Sequence, residues 1–310
     1  MNKTITPLKA DLMLALVSFL WGSSYVVTKN FINTIGPFYN VFYRFAIASI
    51  LCLIFYRKHL RKISKGEIKA GILTGAILGI GILFSLAGIK YTTVSKNSFI
   101  VSIYVVFVPF VYWAICKKKP TNMSIFAVFL MMVGLAFLTL DFNSGFSINI
   151  GDILSFGCVI FYALQVIFND IYAKKYNPIC VNTVIMITCS VISFIGIIFE
   201  GNINFKISGE SLIYIMYLGV FTTFICYSIQ IVAQKYTVAT HAAIIMSLES
   251  VTATALAVIF LKEKLSINMI IGCIVIFISV LISEIGDSVL AKIIEKYYLR
   301  NKNAIELQDK

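Results

Sequence analysis

Long apolar segments recur along this chain, separated by short polar connections. Each runs for about 20 residues, the length that a helix needs to cross roughly 30 Å of hydrocarbon. The pattern predicts ten membrane-spanning helices, at residues 11–33, 38–56, 70–89, 97–115, 122–140, 150–173, 181–199, 211–234, 241–261 and 267–285. The expected fold class is therefore an all-α polytopic membrane protein. Little chain remains for a soluble domain, so we expect function inside the membrane or at its faces.

The first apolar segment is predicted to stay in the mature protein. It contains Trp21, Ser23, Ser24 and Lys29. A cleavable signal would instead have a short apolar stretch ending in an A-x-A-like site.

Composition supports the membrane interpretation. Hydrophobic residues make up 59% of the chain and charged residues 13%, against roughly 45–50% and about 25% in soluble globular proteins. One compact aqueous domain cannot bury that excess, whereas a bilayer supplies a second apolar solvent.

The formal net charge of +12 would suit a nucleic-acid binder, but its distribution indicates otherwise. With the N-terminus inside, nineteen of the 26 Lys and Arg residues fall in cytoplasmic segments and six at outer ends. This is the positive-inside pattern of helical membrane proteins. We expect both termini in the cytoplasm, a cell-membrane location, the lipid bilayer as partner and no nucleic acid.

Motifs for bound metals, nucleotides or hydrolysis are missing from the sequence. Its seven cysteines form no C-x-x-C pair and no cluster with histidine, and there is no G-x-x-x-x-G-K-[ST] loop or G-x-S-x-G elbow. Free cysteines inside spans are expected to pack as small apolar residues. We expect no cofactor, no metal site and no enzymatic activity.

The second half of the chain repeats landmarks of the first. At an offset of 141 residues Asp11 aligns with Asp152 and Pro37 with Pro178; at an offset of 145, KYT at 90–92 aligns with 235–237. Each half contains five spans, an odd number, so the second half starts from the opposite face. The pattern predicts inverted repeats, a layout of many secondary transporters. The expected units are residues 11–141 and 150–285, between a cytoplasmic N-terminus (1–10) and tail (286–310), with an amphipathic helix at 287–300.

Four segments carry a resemblance to a known family: FLWGSSYVVTK (19–29), GPFYNVFYRFAIASI (36–50), KYTTVSKNSFIVSIYVVFVPFV (90–111) and SLESVTATALAVIFLKEKLS (247–266). In these the chain resembles the EamA branch of the drug/metabolite transporter superfamily. The resemblance implies ten helices, cytoplasmic termini and movement of small organic solutes, often export of amino acids. Ser250 stands where the family often has proline after the span-nine glutamate, so a proline kink is not implied there.

Two charged residues, Glu249 and Arg44, lie well inside predicted spans, whereas Lys29 and Asp170 lie near span ends. Glu249 is about eight residues, or about 12 Å, into span nine, near the midplane. An intramembrane carboxylate usually faces a bundle interior or wet cavity, so Glu249 is predicted to bind a substrate ammonium or carry a coupling proton; a protonated packing role is the alternative. Arg44, six residues into span two and nearer the outer face, is a candidate for pairing with a substrate carboxylate; the alternatives are that it snorkels to the membrane interface or binds helix-end carbonyls.

Polar and aromatic side chains share one face of span one, where Trp21, Ser24, Tyr25 and Thr28 recur at helical spacing. With Tyr162 and Gln165 of span six, and Tyr104 at the repeat position of Glu249, they are candidate pocket-lining residues; packing between helices is the alternative. Weaker candidates are Tyr39, Tyr43, Asn97, Tyr227 and Gln230. Gly71, Gly75 and Gly79 predict close helix packing in span three.

The function predicted is secondary transport of a small polar metabolite, an amino acid or amine, by alternating access in the export direction. The alternatives are a carrier of sugar conjugates, an intramembrane enzyme and a channel. Span interiors supply one glutamate and one arginine rather than the basic cluster or catalytic pairs that the first two would need. The sequence leaves the substrate, coupling ion and oligomeric state open.

Overall fold

The computed structural model describes residues 5–139, 149–200, 209–264 and 266–283. These residues are almost entirely helical, and none of them is in a β-strand. The amphipathic helix predicted at 287–300 lies outside the described residues.

Apolar helices account for most of the described chain. In chain order they are α1 (Pro7–Ile35), α2 (Pro37–Phe55), α3 (Lys65–Tyr91), α4 (Val94–Cys116), α5 (Asn122–Thr139), α6 (Ile150–Lys175), α7 (Pro178–Glu200), α8 (Gly209–Gln234), α9 (Ala239–Phe260) and α10 (Ile267–Ser283). Eight described helices are long and apolar enough to cross a membrane, while α5 and α10 are shorter. Eight of the predicted spans therefore have helices of crossing length, and the full number of ten stays a prediction.

Local sequence explains where several of these helices begin. Pro7 and Pro37 occupy the first turns of α1 and α2, where a missing N–H costs nothing. Gly36, between them, has φ of 78°, a backbone conformation that glycine adopts without a Cβ penalty. Capping boxes start α3, with Ser64 and Glu67, and α6, with Asn149 and Asp152. These caps satisfy N–H groups that a helix start leaves unpaired.

Three of the long helices are interrupted at a single residue. The interruptions lie at Ile103 in α4, Cys158 in α6 and Ser247 in α9. At Ile103 and Ser247 the ψ angles are −20° and −8°, and the Ser250 N–H bonds the carbonyl of Ser247, three residues back. The span-nine helix is thus interrupted without a proline, three residues before the position where the family often has one.

Close helix contacts hold the bundle together. Glycines bring α3 against α7: a Cβ on Gly75 would lie 2.7 Å from the Thr188 Cβ, whereas one on Gly79 would lie 3.6 Å from Cys189. Helix α1 packs along the second part of α9. The buried apolar residues form two clusters, and Trp21 and Tyr162 pack against both of them. These two aromatic residues also line the cavity that the bundle encloses.

Candidate functional site

One cavity in the described bundle is lined by all eight residues predicted to form the site. They are Trp21, Ser24, Tyr25, Arg44, Tyr104, Tyr162, Gln165 and Glu249. They come from α1, α2, α4, α6 and α9, so only the tertiary structure brings them together. That they bind a substrate stays a prediction.

Glu249 is buried, with 5% of its surface exposed. It lies in the first turn of the second part of α9, directly after the interruption at Ser247. The partial positive charge at a helix start stabilises a carboxylate there. The side chain of Tyr25 lies beside that of Glu249 in the cavity wall. Since the salt bridges among described residues are Lys96–Asp152 and Lys174–Asp170, no basic side chain of the described chain neutralises Glu249.

Arg44 is buried as well, and hydroxyl groups hold it. Its Nε donates to Thr223 Oγ1 at 3.1 Å and its Nη2 to Thr222 Oγ1 at 3.3 Å. Both threonines belong to a π-helical turn, Leu218–Ile225, within α8. Such turns are rare and frequently mark functional sites. Two neutral acceptors leave the guanidinium charge uncompensated, and its side chain lines the cavity.

Aromatic rings form much of the remaining wall. The rings of Trp21 and Tyr227 lie 5.1 Å apart between centroids, and those of Tyr104 and Tyr162 meet edge to face at 6.1 Å. The Trp21 indole N–H donates to the Thr222 carbonyl at 2.9 Å, which fixes the ring. Rigid aromatic walls of this kind suit an organic solute and, through their faces, a cation.

Amide side chains complete the polar lining. Gln165 of α6 donates to Gln230 of α8 at 3.2 Å. Asn97 of α4 donates to the Ser85 carbonyl at 3.2 Å and to Ser155 at 2.7 Å. Both of these Asn97 contacts use its Nδ2, while its Oδ1 is buried without a hydrogen-bond partner among the described residues.

The structure also separates the weaker candidates. Asn97, Tyr227 and Gln230 line the cavity, whereas Tyr39 and Tyr43 are not among its lining residues. Sequence reasoning missed Ser85, Met246 and the threonine pair Thr222 and Thr223. Ser85 could have been predicted from the sequence, because at the 145-residue offset it is the repeat equivalent of the candidate Gln230. The two threonines could not have been predicted in this way, since a π-helical turn has no simple sequence pattern.

Comparisons with known proteins give the family. Residues 8–140 and 149–284 each match the family model of the EamA-like transporter family. An "Uncharacterized transporter" of Archaeoglobus fulgidus is 32% identical over 276 residues, which cover 89% of this chain and 85% of that protein. A second one from the same organism is 29% identical over 178 residues, 54% of this chain and 60% of that protein.

A solved crystal structure of a protein has a similar fold, with a TM-score of 0.75 over 92% of this chain and 98% of the other. Its sequence identity is 14%, so this likeness concerns the fold alone. The two family matches span nearly the whole chain, and eight described helices can cross a bilayer. The chain therefore belongs to the EamA-like transporter family and is a multi-pass membrane transporter.

Proposed function

We propose that this protein is a secondary active transporter of a small amino-bearing metabolite, an amino acid or an amine. The observation that carries the proposal is the pair of opposite charges in one cavity. Glu249 and Arg44 both line it, and neither has an ion-pair partner among the described residues. A solute with an ammonium group and a carboxylate would satisfy both.

The cost of burying a charge favours a role of Glu249 and Arg44 in solute binding over a purely structural role. An isolated charge inside a membrane protein costs at least a few kcal/mol, and such residues usually face a cavity or a partner. Here the helix start and Tyr25 only partly offset the burial of Glu249, and two threonines do so for Arg44. The lining hydroxyls, amides and aromatic rings would then orient the organic part of the solute.

The proposed mechanism is alternating access between two inverted repeats of five helices, residues 11–141 and 150–285. The 141- and 145-residue offsets, the odd number of spans per repeat and a cavity lined by residues of both repeats support it. Both termini lie in the cytoplasm on this proposal, and the protein resides in the cell membrane. Export is the proposed direction on family resemblance, and Glu249 is the proposed carrier of a coupling proton.

Uptake into proteoliposomes tests the proposal. A labelled panel of amino acids and amines is offered to wild type and Glu249→Gln, with and without a pH gradient. Glutamine keeps the shape of the side chain but lacks its charge. We therefore expect uptake to fall by roughly tenfold to a hundredfold, which corresponds to the free energy of one hydrogen bond to a charged group. Dependence on the pH gradient should disappear with it.

Glu210→Gln is the matched control, because Glu210 is an exposed carboxylate at the start of α8. It should transport like wild type. Unchanged, gradient-dependent uptake in Glu249→Gln would assign Glu249 to packing. Failure of folded wild type to move any member of the panel would reject the amino-bearing substrate class.

A further inference from the structure

Two helix contacts in this bundle occupy equivalent positions in the repeats. We call the first the α1–α3 seam, formed by Ser24, Thr28, Ser85 and Ile89. The 141- and 145-residue offsets carry these positions onto Gln165, Asn169, Gln230 and Gln234, which form the α6–α8 seam. In each seam, the first residue from each helix lines the cavity. The second residue lies one helical turn further along the helix, toward the end of the span.

The cavity follows one seam and stops at the other. All four positions of the α1–α3 seam line the cavity, but only Gln165 and Gln230 of the α6–α8 seam do so. Asn169 and Gln234 are 2% and 0% exposed and lie outside the cavity lining. Thr28 and Ile89 are as little exposed, at 2% and 1%, so the two seams differ in how far the cavity extends along them and not in burial.

Uncharged amides close the α6–α8 seam. Gln165 Nε2 and Asn169 Nδ2 both donate to Gln230 Oε1, at 3.2 and 3.4 Å. Gln230 Nε2 returns a bond to Gln165 Oε1 at 3.5 Å, and Gln234 Nε2 donates to the Val166 carbonyl at 3.2 Å. These bonds cross between the two helices at every turn of the seam.

The closed seam leaves two buried acceptors unpaired, Asn169 Oδ1 and Gln234 Oε1. A buried polar atom without a hydrogen-bond partner destabilises the conformation that buries it. A contact that stayed shut would be more stable with apolar side chains. Amides with spare acceptors instead fit a surface that water and solute reach in another conformation.

Charged residues end both seams at equivalent positions. Lys29 donates to the carbonyls of Ile89 and Thr92 at 2.8 and 2.6 Å. Its equivalent, Asp170, pairs with Lys174 at 2.6 Å and accepts from the Tyr112 hydroxyl at 3.3 Å. Each seam thus runs from the shared cavity to a polar lock near one face.

We propose that the α6–α8 seam is the second half of the solute path, closed here by its amide pairs and open in the alternate state. When the helices part, the amide oxygens of Asn169 and Gln234 accept hydrogen bonds from water or from the ammonium group of the passing solute. This inference rests on the alternating access proposed above. The competing assignment is a permanent interhelical contact, for which such amides are also used.

Thiol accessibility distinguishes the two assignments without any transported solute. The background is the full chain with Cys116→Ser and Cys273→Ser, since these two cysteines are half-buried and the other five are buried. Asn169→Cys is exposed to a charged, membrane-impermeant maleimide in right-side-out and inside-out membrane vesicles. Lys174→Cys, at a side chain that is 41% exposed, identifies the face at which α6 ends. Ile167→Cys, fully buried on the same helix, is the matched control.

We expect Asn169→Cys to react from the Lys174 face only, at least about tenfold faster than Ile167→Cys, because the thiol is reached through opening of the seam. Gln234→Cys, on the opposite side of the seam, should react with the same sidedness and at a similar rate. It serves as the test variant if Asn169→Cys does not fold. Labelling at the rate of Ile167→Cys, or from the opposite face, would overturn the proposal. Since no solute enters this assay, its failure is distinct from failure of the substrate class.

Discussion

At the scale of single residues, the main feature is a carboxylate and a guanidinium facing one cavity without ion-pair partners in the described chain. Glu249 relies on a helix start and Tyr25, and Arg44 on two threonine hydroxyls. The two residues should therefore contribute differently to different solutes. An amine needs only the carboxylate, whereas an amino acid needs both.

Replacing Arg44 separates these cases. Arg44→Gln should lower uptake of amino acids by roughly tenfold to a hundredfold, the value of a hydrogen bond to a charged group, and leave uptake of the matching amines nearly unchanged. Initial rates in proteoliposomes, with each amino acid paired with its decarboxylated analogue, give the comparison. Arg57→Gln, at an exposed site, is the control. An equal loss for both solutes would assign Arg44 to support of the π-helical turn.

At the scale of helices, interruptions and glycine contacts decide which side chains meet. The interruptions at Ile103 and Ser247 precede Tyr104 and Glu249, which occupy equivalent repeat positions and both line the cavity. Glycines in α3 permit α7 to approach so closely that side chains of α7 occupy the space in which a Cβ on the glycine would lie. This contact should be sensitive to a single methyl group.

A pair of alanine substitutions tests the contact. Gly75→Ala should destabilise the protein by about 1–3 kcal/mol through overpacking, because its Cβ would meet Thr188 at 2.7 Å and the Ile185 carbonyl at 3.0 Å. Gly79→Ala, one turn along, meets Cys189 only at 3.6 Å and should be neutral or slightly stabilising. Thermal unfolding in detergent measures both. Equal shifts would contradict the close contact at Gly75.

At the scale of the whole molecule, the arrangement in the membrane follows from charge. The excess of Lys and Arg in alternate connections predicts which ends face the cytoplasm. Two exposed lysines, Lys62 between α2 and α3 and Lys264 after α9, fall on opposite faces in this topology.

Labelling of intact cells checks the topology. Lys62→Cys should stay unmodified by an impermeant maleimide until the cells are opened, while Lys264→Cys should react at once. The physical reason is that the connection rich in Lys and Arg is retained inside during insertion. The same cysteines in inverted vesicles provide the control, with the pattern exchanged. The reverse pattern in cells would invert the proposed orientation.

Much of the architecture could be predicted because membrane spans are defined by length and hydropathy, which are properties of continuous sequence. The candidate lining was also accessible, since a polar or aromatic residue inside a span is costly toward lipid and so indicates an interior face. The hydrogen-bond partners of these residues could not be predicted from the sequence. The contact of Arg44 with Thr222 and Thr223 depends on a π-helical turn about 180 positions away, and Ser250 gave no hint that α9 is interrupted at Ser247.

The sequence by itself indicated a membrane protein with two related halves, and it singled out Glu249, Arg44 and the polar, aromatic face of span one as candidate site residues. The membrane location and the candidate residues follow from the cost of polar groups in hydrocarbon and from spacing along one helix, and the relation between the halves follows from landmarks repeated along the chain. Only the tertiary structure decided that eight such residues line one cavity, that Glu249 lies in the first turn after a helix interruption, and that the cavity extends further along one seam than along its equivalent. Those facts depend on how helices distant in sequence approach each other, and that distance is set by packing rather than by periodicity.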